Sequence, residues 1–351
     1  MRQRTTEKKP LAAQMKAHIG KKIKKKKEYD GDFGQIISTG STLLDLAISG
    51  GRIRGGGLPG GIMVEIFGPS STGKTVLLSE IAGAVQRQKG ELMFHDPEAR
   101  LNKQFTRIFG LNPEDMVYST PDTVTEVFHS IREWEPASYK IVNGIFTDSL
   151  AALSTDMEMT NKEGDKMGMR RAKEFSEELR KTCRVLTQKR LLMVCSNQVR
   201  VNTDAGMFGQ KYSTPGGEAV GFYASLRLRA MPSSKITQIE KVAGKEVKRV
   251  IGIETTIEVH KSSIWKPFRT APVSIIFDYG VDDIRANLQY VKTYTKGTTY
   301  MVNDEKLDIS LEKAIGLVEE HGLEQELKNQ VIDLWEEIEA KFEKERKPKQ
   351  R

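Results

Sequence analysis

The sequence predicts an α/β protein with a mainly parallel central sheet, antiparallel strands added at one edge, a small basic arm at the N-terminus and a small α-rich domain at the C-terminus. Three observations predict it. Between residues 62 and 195, short apolar runs alternate with segments whose apolar residues recur at helical spacing, the pattern of strands covered by helices on both faces. The run "GPSSTGKT", Gly68 to Thr75, lies between one such strand and one such helix. From about Phe222, strand-like runs follow one another without long helices between them, as antiparallel edge strands do.

Taken in order, residues 1–34 form the arm. Leu11, Met15 and Ile19 recur every four residues, which predicts a short amphipathic helix able to dock on a partner subunit. A lysine run follows. The first 30 residues hold eleven Lys/Arg against three Asp/Glu, so they carry the whole formal charge of +8 and the rest of the chain is neutral. Such an arm either follows nucleic-acid phosphates or keeps a tail solvated. The glycine-rich "STGSTLLDLAISGGRIRGGGLPGG" then leads into "IMVEIF", a buried strand ending at Gly68, and Leu78, Ile81 and Val85 mark the helix after it.

The alternation continues with "ELMF" as strand, a helix near Lys103 to Phe109, "MVY" as strand, and a helix carrying Val124, Val127, Phe128 and Ile131. Next come a strand within "YKIVNGIFTDS", a long helix with Phe175, Leu179, Cys183 and Leu186, and the strand "LLMVC". "FYASLRLR", "RVIGIETTIEVH" and "PVSIIF" read as the added strands. The core is therefore expected over residues 35–283, with a helical domain over 284–345 and a charged tail over 346–351. Leu323, Leu327, Val331, Leu334 and Ile338 mark one apolar stripe in that domain.

An apolar content of 38% excludes full disorder. No run approaches the roughly 18 apolar residues of a membrane span, and the N-terminus lacks the apolar centre of a secretory signal, so no membrane role and a cytoplasmic location are expected. Cys183 and Cys195 stand singly in apolar segments without C-x-x-C spacing, as buried small hydrophobes do.

In a G-x-x-x-x-G-K-[ST] loop, backbone N–H groups and the following helix N-terminus surround phosphates. Gly68, Pro69, Ser70, Ser71, Thr72, Gly73, Lys74, Thr75 and Val76 supply that cradle, with Lys74 neutralising the outer charge. The Thr75 hydroxyl is a ligand for Mg²⁺, which prefers oxygen in an octahedron. Asp148, at the end of its strand, is the second magnesium residue, acting through water. Hydrolysis also needs a carboxylate to orient or deprotonate water, and "MFHDPEARL" offers both Asp96 and Glu98. Their spacing does not separate the two.

The chain resembles the RecA-type recombinases, including their bacteriophage branch, over about residues 36–283. The likeness is carried in order by "IISTGSTLLDLAISGG", "VEIFGPSSTGKT", "DPEARL", "TDSLAAL", "MGMRRAKEFSEELRK", "SNQVR", "MFGQKYSTPGGEAVGFYASLRLR" and "KSSIWKPFR". It implies a RecA-like P-loop core and a DNA-dependent ATPase that assembles as a helical filament on single-stranded DNA. That filament pairs the strand with homologous double-stranded DNA, with ATP between neighbouring subunits, in a bacterial or phage-infected cytoplasm. Mediator and single-strand-binding proteins are further partners of such a filament. Two other functions share the core: coating of single strands under ATP control without strand exchange, and unwinding by a ring helicase.

By position, the resemblance favours Glu98 as the residue that activates water, places Phe105 against adenine with Asn102 at the polar edge of the base, and makes Gln198 the sensor of the terminal phosphate. The segment "VRVNTDAGMFGQKYSTPGG" resembles a DNA-contacting loop, with Arg200, Met207, Phe208, Gly216 and Gly217 as its contacts. The shorter loop at "EGDKMGMRR" resembles a second one, with Met167 and Gly168 at its tip and Arg171, Lys173, Ser176 and Arg180 on or near the helix that follows. Two departures stand out. The family reaches across to the neighbouring nucleotide with two lysines two positions apart, whereas "HKSSIWKPF" keeps Lys261 but has Ser263 in the second place, so Lys266 is the candidate to share the task. Glu218 also puts a carboxylate beside the expected DNA path.

Overall fold

The computed structural model describes residues 34–160, 167–201, 212–213, 215–295 and 297–342. Strands β1 (Ile36–Ile37) and β2 (Leu58–Pro59) pair antiparallel, and the helix between them in sequence, α1 (Thr42–Ser49), is buried along its whole length. Its Asp45 accepts from the Thr39 N–H and hydroxyl and from the Ser38 hydroxyl, yet burial pushes the carboxyl up to about 6.

β3 (Met63–Gly68), α2 (Lys74–Arg87), β4 (Leu92–His95), α3 (Lys103–Ile108), β5 (Met116–Ser119), α4 (Val124–Glu133) and β6 (Asn143–Thr147) follow the predicted alternation. α4 begins in a capping box, in which the Thr123 hydroxyl accepts from the Glu126 N–H while the Glu126 carboxylate accepts from the Thr123 N–H. Its Val124, Val127, Phe128 and Ile131 are fully buried against the long helix two helices on. After α5 (Asp156–Thr160), that helix, α6 (Met167–Lys189), contributes Phe175, Leu179 and Leu186 to the same cluster. β7 (Leu191–Gln198) then enters the middle of the sheet with Cys195 fully buried, while Cys183 on α6 is only half-buried.

A two-residue ribbon, β8 (Arg200–Val201) with β9 (Tyr212–Ser213), flanks residues 202–211, which lie outside the described residues. The next element corrects the sequence reading. The "FY" of "FYASLRLR" ends a helix, α7 (Gly217–Tyr223), and the strand β10 (Leu226–Ala230) starts only after it. Gly216 and Gly217 turn the chain with φ of +89° and +61°, and a Cβ on Gly216 would sit 2.8 Å from Val220 Cγ2. That close turn folds the segment under α6 and buries Val220, so packing overrides the strand preference of the aromatic pair.

β11 (Ser234–Val242), a strand the sequence reading passes over, pairs with β12 (Lys245–Ser262), and β13 (Thr270–Ile276) and β14 (Gly280–Val281) complete the edge. The sheet order is β14-β13-β12-β10-β3-β7-β6-β4-β5, with β11 also on β12. β10 and everything beyond it toward β5 is parallel, whereas β12 to β14 are antiparallel.

α8 (Asp283–Thr295), the small ribbon β15 (Met301–Val302) with β16 (Glu305–Lys306), α9 (Leu311–His321) and α10 (Glu324–Ala340) end the described chain. On α10, Leu327 and Val331 are buried as the stripe predicts, but Ile332 and Trp335 are buried too, and Leu334 and Ile338 only half so. The buried face turns toward the core because Trp335 meets Trp265, with ring centroids 5.7 Å apart. Trp265 lies flush on Gly51, where a Cβ would come within 1.9 Å of its ring, and the Arg269 guanidinium covers it at 3.9 Å while pairing with Glu339. Among the described residues no helix is long and apolar enough to cross a membrane.

Candidate nucleotide site and the residues around it

Parallel register assembles the site. Gly68 of β3 is level with Gln198 of β7, Cys195 of β7 with Thr147 of β6, and Thr147 with His95 of β4. The residues that follow each strand therefore open onto one carboxyl edge, where sheets of this kind hold ligands. A cavity of about 380 Å³ lies there, lined by Ser70 to Val76, Glu98, Arg100, Asp148, Ser149, Ser196 and Gln198.

Within the loop, Gly73 adopts φ +82°, and a Cβ there would lie 2.2 Å from Ile275 Cδ1. Ser71 also has positive φ, at 60°. Such left-handed turns aim successive N–H groups inward ahead of α2. The Lys74 ammonium donates to the Pro69 carbonyl at 2.6 Å, as does the Thr72 hydroxyl at 2.9 Å. Burial holds the Lys74 pKa below its ordinary value, and Asp148 opposes that shift.

Asp148 is nearly buried and accepts from the Ser196 hydroxyl. Ser149 is also buried in the cavity wall, its hydroxyl without a hydrogen-bond partner. These oxygens, with Thr75, suit a hard cation. No group of three or more His, Cys, Asp or Glu side chains is placed to hold a metal among the described residues. Thr75 and Asp148 would hold Mg²⁺, which when bound offsets phosphate charge.

The structure separates the two acids that spacing left open. Asp96 is 2% exposed and occupied, accepting from the Leu101 N–H at 2.7 Å and the Tyr118 hydroxyl at 3.0 Å. It braces the loop. Glu98 lines the cavity and pairs at 2.7 Å with the exposed Arg100, its one ion pair among the described residues. A second cavity of about 310 Å³ shares Val76 with the first and is walled by Phe105, Ile108, Phe109 and residues 275–278. Phe105 packs edge-on to Phe109 at 4.7 Å, and Asn102 caps α3 by accepting from the Phe105 N–H, which leaves its amide NH₂ at the rim to donate. A flat apolar slot with one polar edge suits a purine.

Lys261 and Lys266 line neither cavity. The Lys261 ammonium donates to the Gly221 and Phe222 carbonyls, both at 2.8 Å, at the C-terminal end of α7. Lys266 lies 5.4 Å from the centre of the Trp265 ring. Of the expected DNA residues, Met207 and Phe208 lie outside the described residues, Arg200 sits on β8, Met167 and Gly168 open α6, and Gly216 and Gly217 open α7. Lys173 and Arg180 are exposed on α6 with Ser176 half-buried between them. Arg171 has another occupation: its Nη2 donates to the Leu150 and Ala151 carbonyls.

Sequence reasoning missed Ser149, Ser196 and the 275–278 wall. Strand alternation was a usable signal for Ser196, since residues two apart share a face and Gln198 was already singled out. It missed as well a buried network on the other face. Glu65 accepts from Arg227 Nε at 2.6 Å and from the Asn197 amide at 2.9 Å, and that amide also donates to the Pro215 carbonyl.

A family profile described as the RecA N-terminal domain matches residues 13–282. The chain is 33% identical over 302 residues to Protein RecA of Borrelia turicatae, covering 84% of this chain and 78% of that one. The chain belongs to the RecA family. Other RecA proteins agree: that of Delftia acidovorans is 31% identical, covering 85% of this chain and 78% of its own, and that of Lactococcus lactis subsp. cremoris is 32% identical, covering 82% and 72%. A crystal structure of the RadB recombinase aligns with 70% of this chain and 98% of its own at 18% identity, with a TM-score of 0.48. As a RecA-family protein the chain is an ATP-dependent recombinase.

Proposed function

We propose that this protein assembles as a helical filament on single-stranded DNA and pairs that strand with a homologous duplex. ATP bound between neighbouring subunits fixes the DNA-gripping form, and hydrolysis to ADP and phosphate releases it. One observation carries the reading. Gln198 borders the nucleotide cavity, and its neighbour Asn197 fastens Pro215, where the segment that starts after Gln198 returns to the core. The phosphate edge and the DNA segment thus share one strand end.

In this reading Lys74 and the loop amides hold the phosphates, Glu98 orients and deprotonates the attacking water, and Gln198 contacts the terminal phosphate. Phe105 and Asn102 hold the base. Lys261 and Lys266 of a neighbouring copy approach the transferring phosphoryl group. Met207, Phe208, Arg200, Gly216 and Gly217 form one DNA contact, and Met167, Gly168, Lys173, Ser176 and Arg180 the other. Arg171 anchors the second from behind. The place of action is the cytoplasm, alongside single-strand-binding and mediator proteins.

Purified protein with ATP, magnesium and single-stranded DNA is to be mixed with homologous and with heterologous duplex. Joint molecules with the homologue alone are expected. ATP turnover without joints would mean a coating protein, and unwinding of a forked duplex a helicase; either would overturn the proposal.

A further inference from the structure

The ribbon made by β11 and β12 takes no part in the nucleotide site. β13 leaves β12 at Gly252 and β10 at Ile257, so Thr237–Val242 and Lys245–Val250 pair only with each other. At ~3.3 Å per residue they project about 20 Å beyond the sheet. A register shift between Ile236 and Thr237 marks where the ribbon departs. Ala243 and Gly244, with φ of +51° and +78°, close it in a two-residue turn whose twist matches the strands. This is a built arm, not a slack loop.

Its surface is basic on both sides. Residues 234–250 carry Lys235, Lys241, Lys245, Lys248 and Arg249 against Glu240 and Glu246, all exposed. Among the described residues none of these cations forms an ion pair. Partners directly opposite in an antiparallel pair share a face. Lys241 and Lys248 therefore stand on one face with Ile239 and Val250, and Lys245 and Arg249 on the other with Val242.

We propose that this ribbon binds duplex DNA by entering the major groove; the inference rests on the DNA reading above. The groove is about 12 Å wide and admits a two-stranded ribbon, and its two walls are phosphate backbones. Cations on both faces match two walls, whereas a flat protein partner covers one. Residues 234–250 hold no aromatic side chain, so the ribbon lacks the stacking platform that single strands use. A second copy of this chain would offer one acidic face to one of the two basic faces: Glu312, Asp333, Glu336 and Glu339 are engaged internally, while Glu319, Glu320, Glu324 and Glu326 of α9 and α10 are exposed, and binding there is the outcome that the sedimentation arm below detects.

The test compares the full-length protein with a Lys241→Ala, Lys245→Ala, Lys248→Ala, Arg249→Ala variant in ATP and magnesium, measuring affinity for duplex and for single-stranded DNA across a salt series. Duplex affinity should fall tenfold or more near 0.1 M salt, with the log-log salt slope flatter by roughly 0.9 for each phosphate no longer neutralised. Single-strand affinity and single-strand-stimulated ATP turnover should not change. Should the combined variant not fold, Lys245→Gln and Lys248→Gln singly show the same slope change in smaller steps. Equal duplex affinity and slope would overturn the proposal, and so would loss of filament assembly on single strands by sedimentation, since the ribbon would then be a subunit contact. Unaltered protein that binds neither form of DNA would refute the DNA reading itself.

Discussion

The parallel and antiparallel halves of the sheet handle charge in opposite ways. At the carboxyl edge of the parallel strands each reactive group is held by a second one: Asp148 by Ser196, Lys74 by Pro69, the Glu98 loop by buried Asp96. Across β12 the cations are either parked on a helix end, as Lys261 is, or stand in solvent along the ribbon without an ion pair among the described residues. One half is arranged for orientation, which chemistry needs before the transition state forms. The other is arranged for encounter, where charge acts at a distance and no fixed geometry is required.

If that contrast is right, the largest effect comes from the group that bridges the halves. Lys261→Ala should lower DNA-stimulated ATP turnover on the order of 10³-fold, because a cation supplied in trans acts on the transition state. Mixing Lys261→Ala subunits with Glu98→Gln subunits should restore part of the turnover, since some interfaces then combine two intact groups; no recovery would place Lys261 in its own subunit's site. Lys266→Ala should give a smaller loss, and normal turnover in it would show that Lys261 acts alone. Glu98→Gln by itself should cost on the order of 10²-fold in turnover, the low end for a positioned base, while nucleotide affinity is kept.

Smaller again is Ser196→Ala. A hydroxyl that orients a metal-holding carboxylate is worth about 10- to 100-fold in metal affinity. Titrating magnesium against a fluorescent nucleotide should shift the midpoint by that factor, with binding in chelator unchanged. The least effect on activity is expected where burial alone acts. His95 is 1% exposed, with a pKa pushed down to about 4, so it folds neutral. Its contribution is complete above about 6.5 and is lost as pH falls toward 4. Asp45, raised to about 6, runs the other way and costs stability as pH rises from about 4 to 6. Denaturant unfolding of His95→Gln should lack the acid-side loss, and a slope like that of the unaltered protein would remove His95 from the account.

The same contrast explains what was legible. "GPSSTGKT" could be read because loop, strand and helix are contiguous, and Asp148 because it follows a recognisable apolar strand, whereas Glu98 and Gln198 were singled out only through the family resemblance. The second cavity was half legible: Asn102 and Phe105 are local, but residues 275–278 reach it from far along the chain. Arg171 reads as a DNA cation in sequence, and only the fold reveals the Leu150 and Ala151 carbonyls beside it. Tyr223 reads as strand because two glycines seven and six positions earlier set a helix that no short window contains. β11 goes unread because its apolar residues, Ile236, Ile239 and Val242, recur every third position and so fall on both faces instead of alternating.

The indole pair at Trp265 and Trp335 joins the segment bearing Lys266 to the last helix, with the third tryptophan, Trp134, placed elsewhere beside α4. Two indoles 5.7 Å apart under a guanidinium should give that junction its own near-ultraviolet dichroic band. Any nucleotide, strand or partner that lifts α10 away would extinguish it, so the molecule carries a built-in optical gauge of its own C-terminal docking.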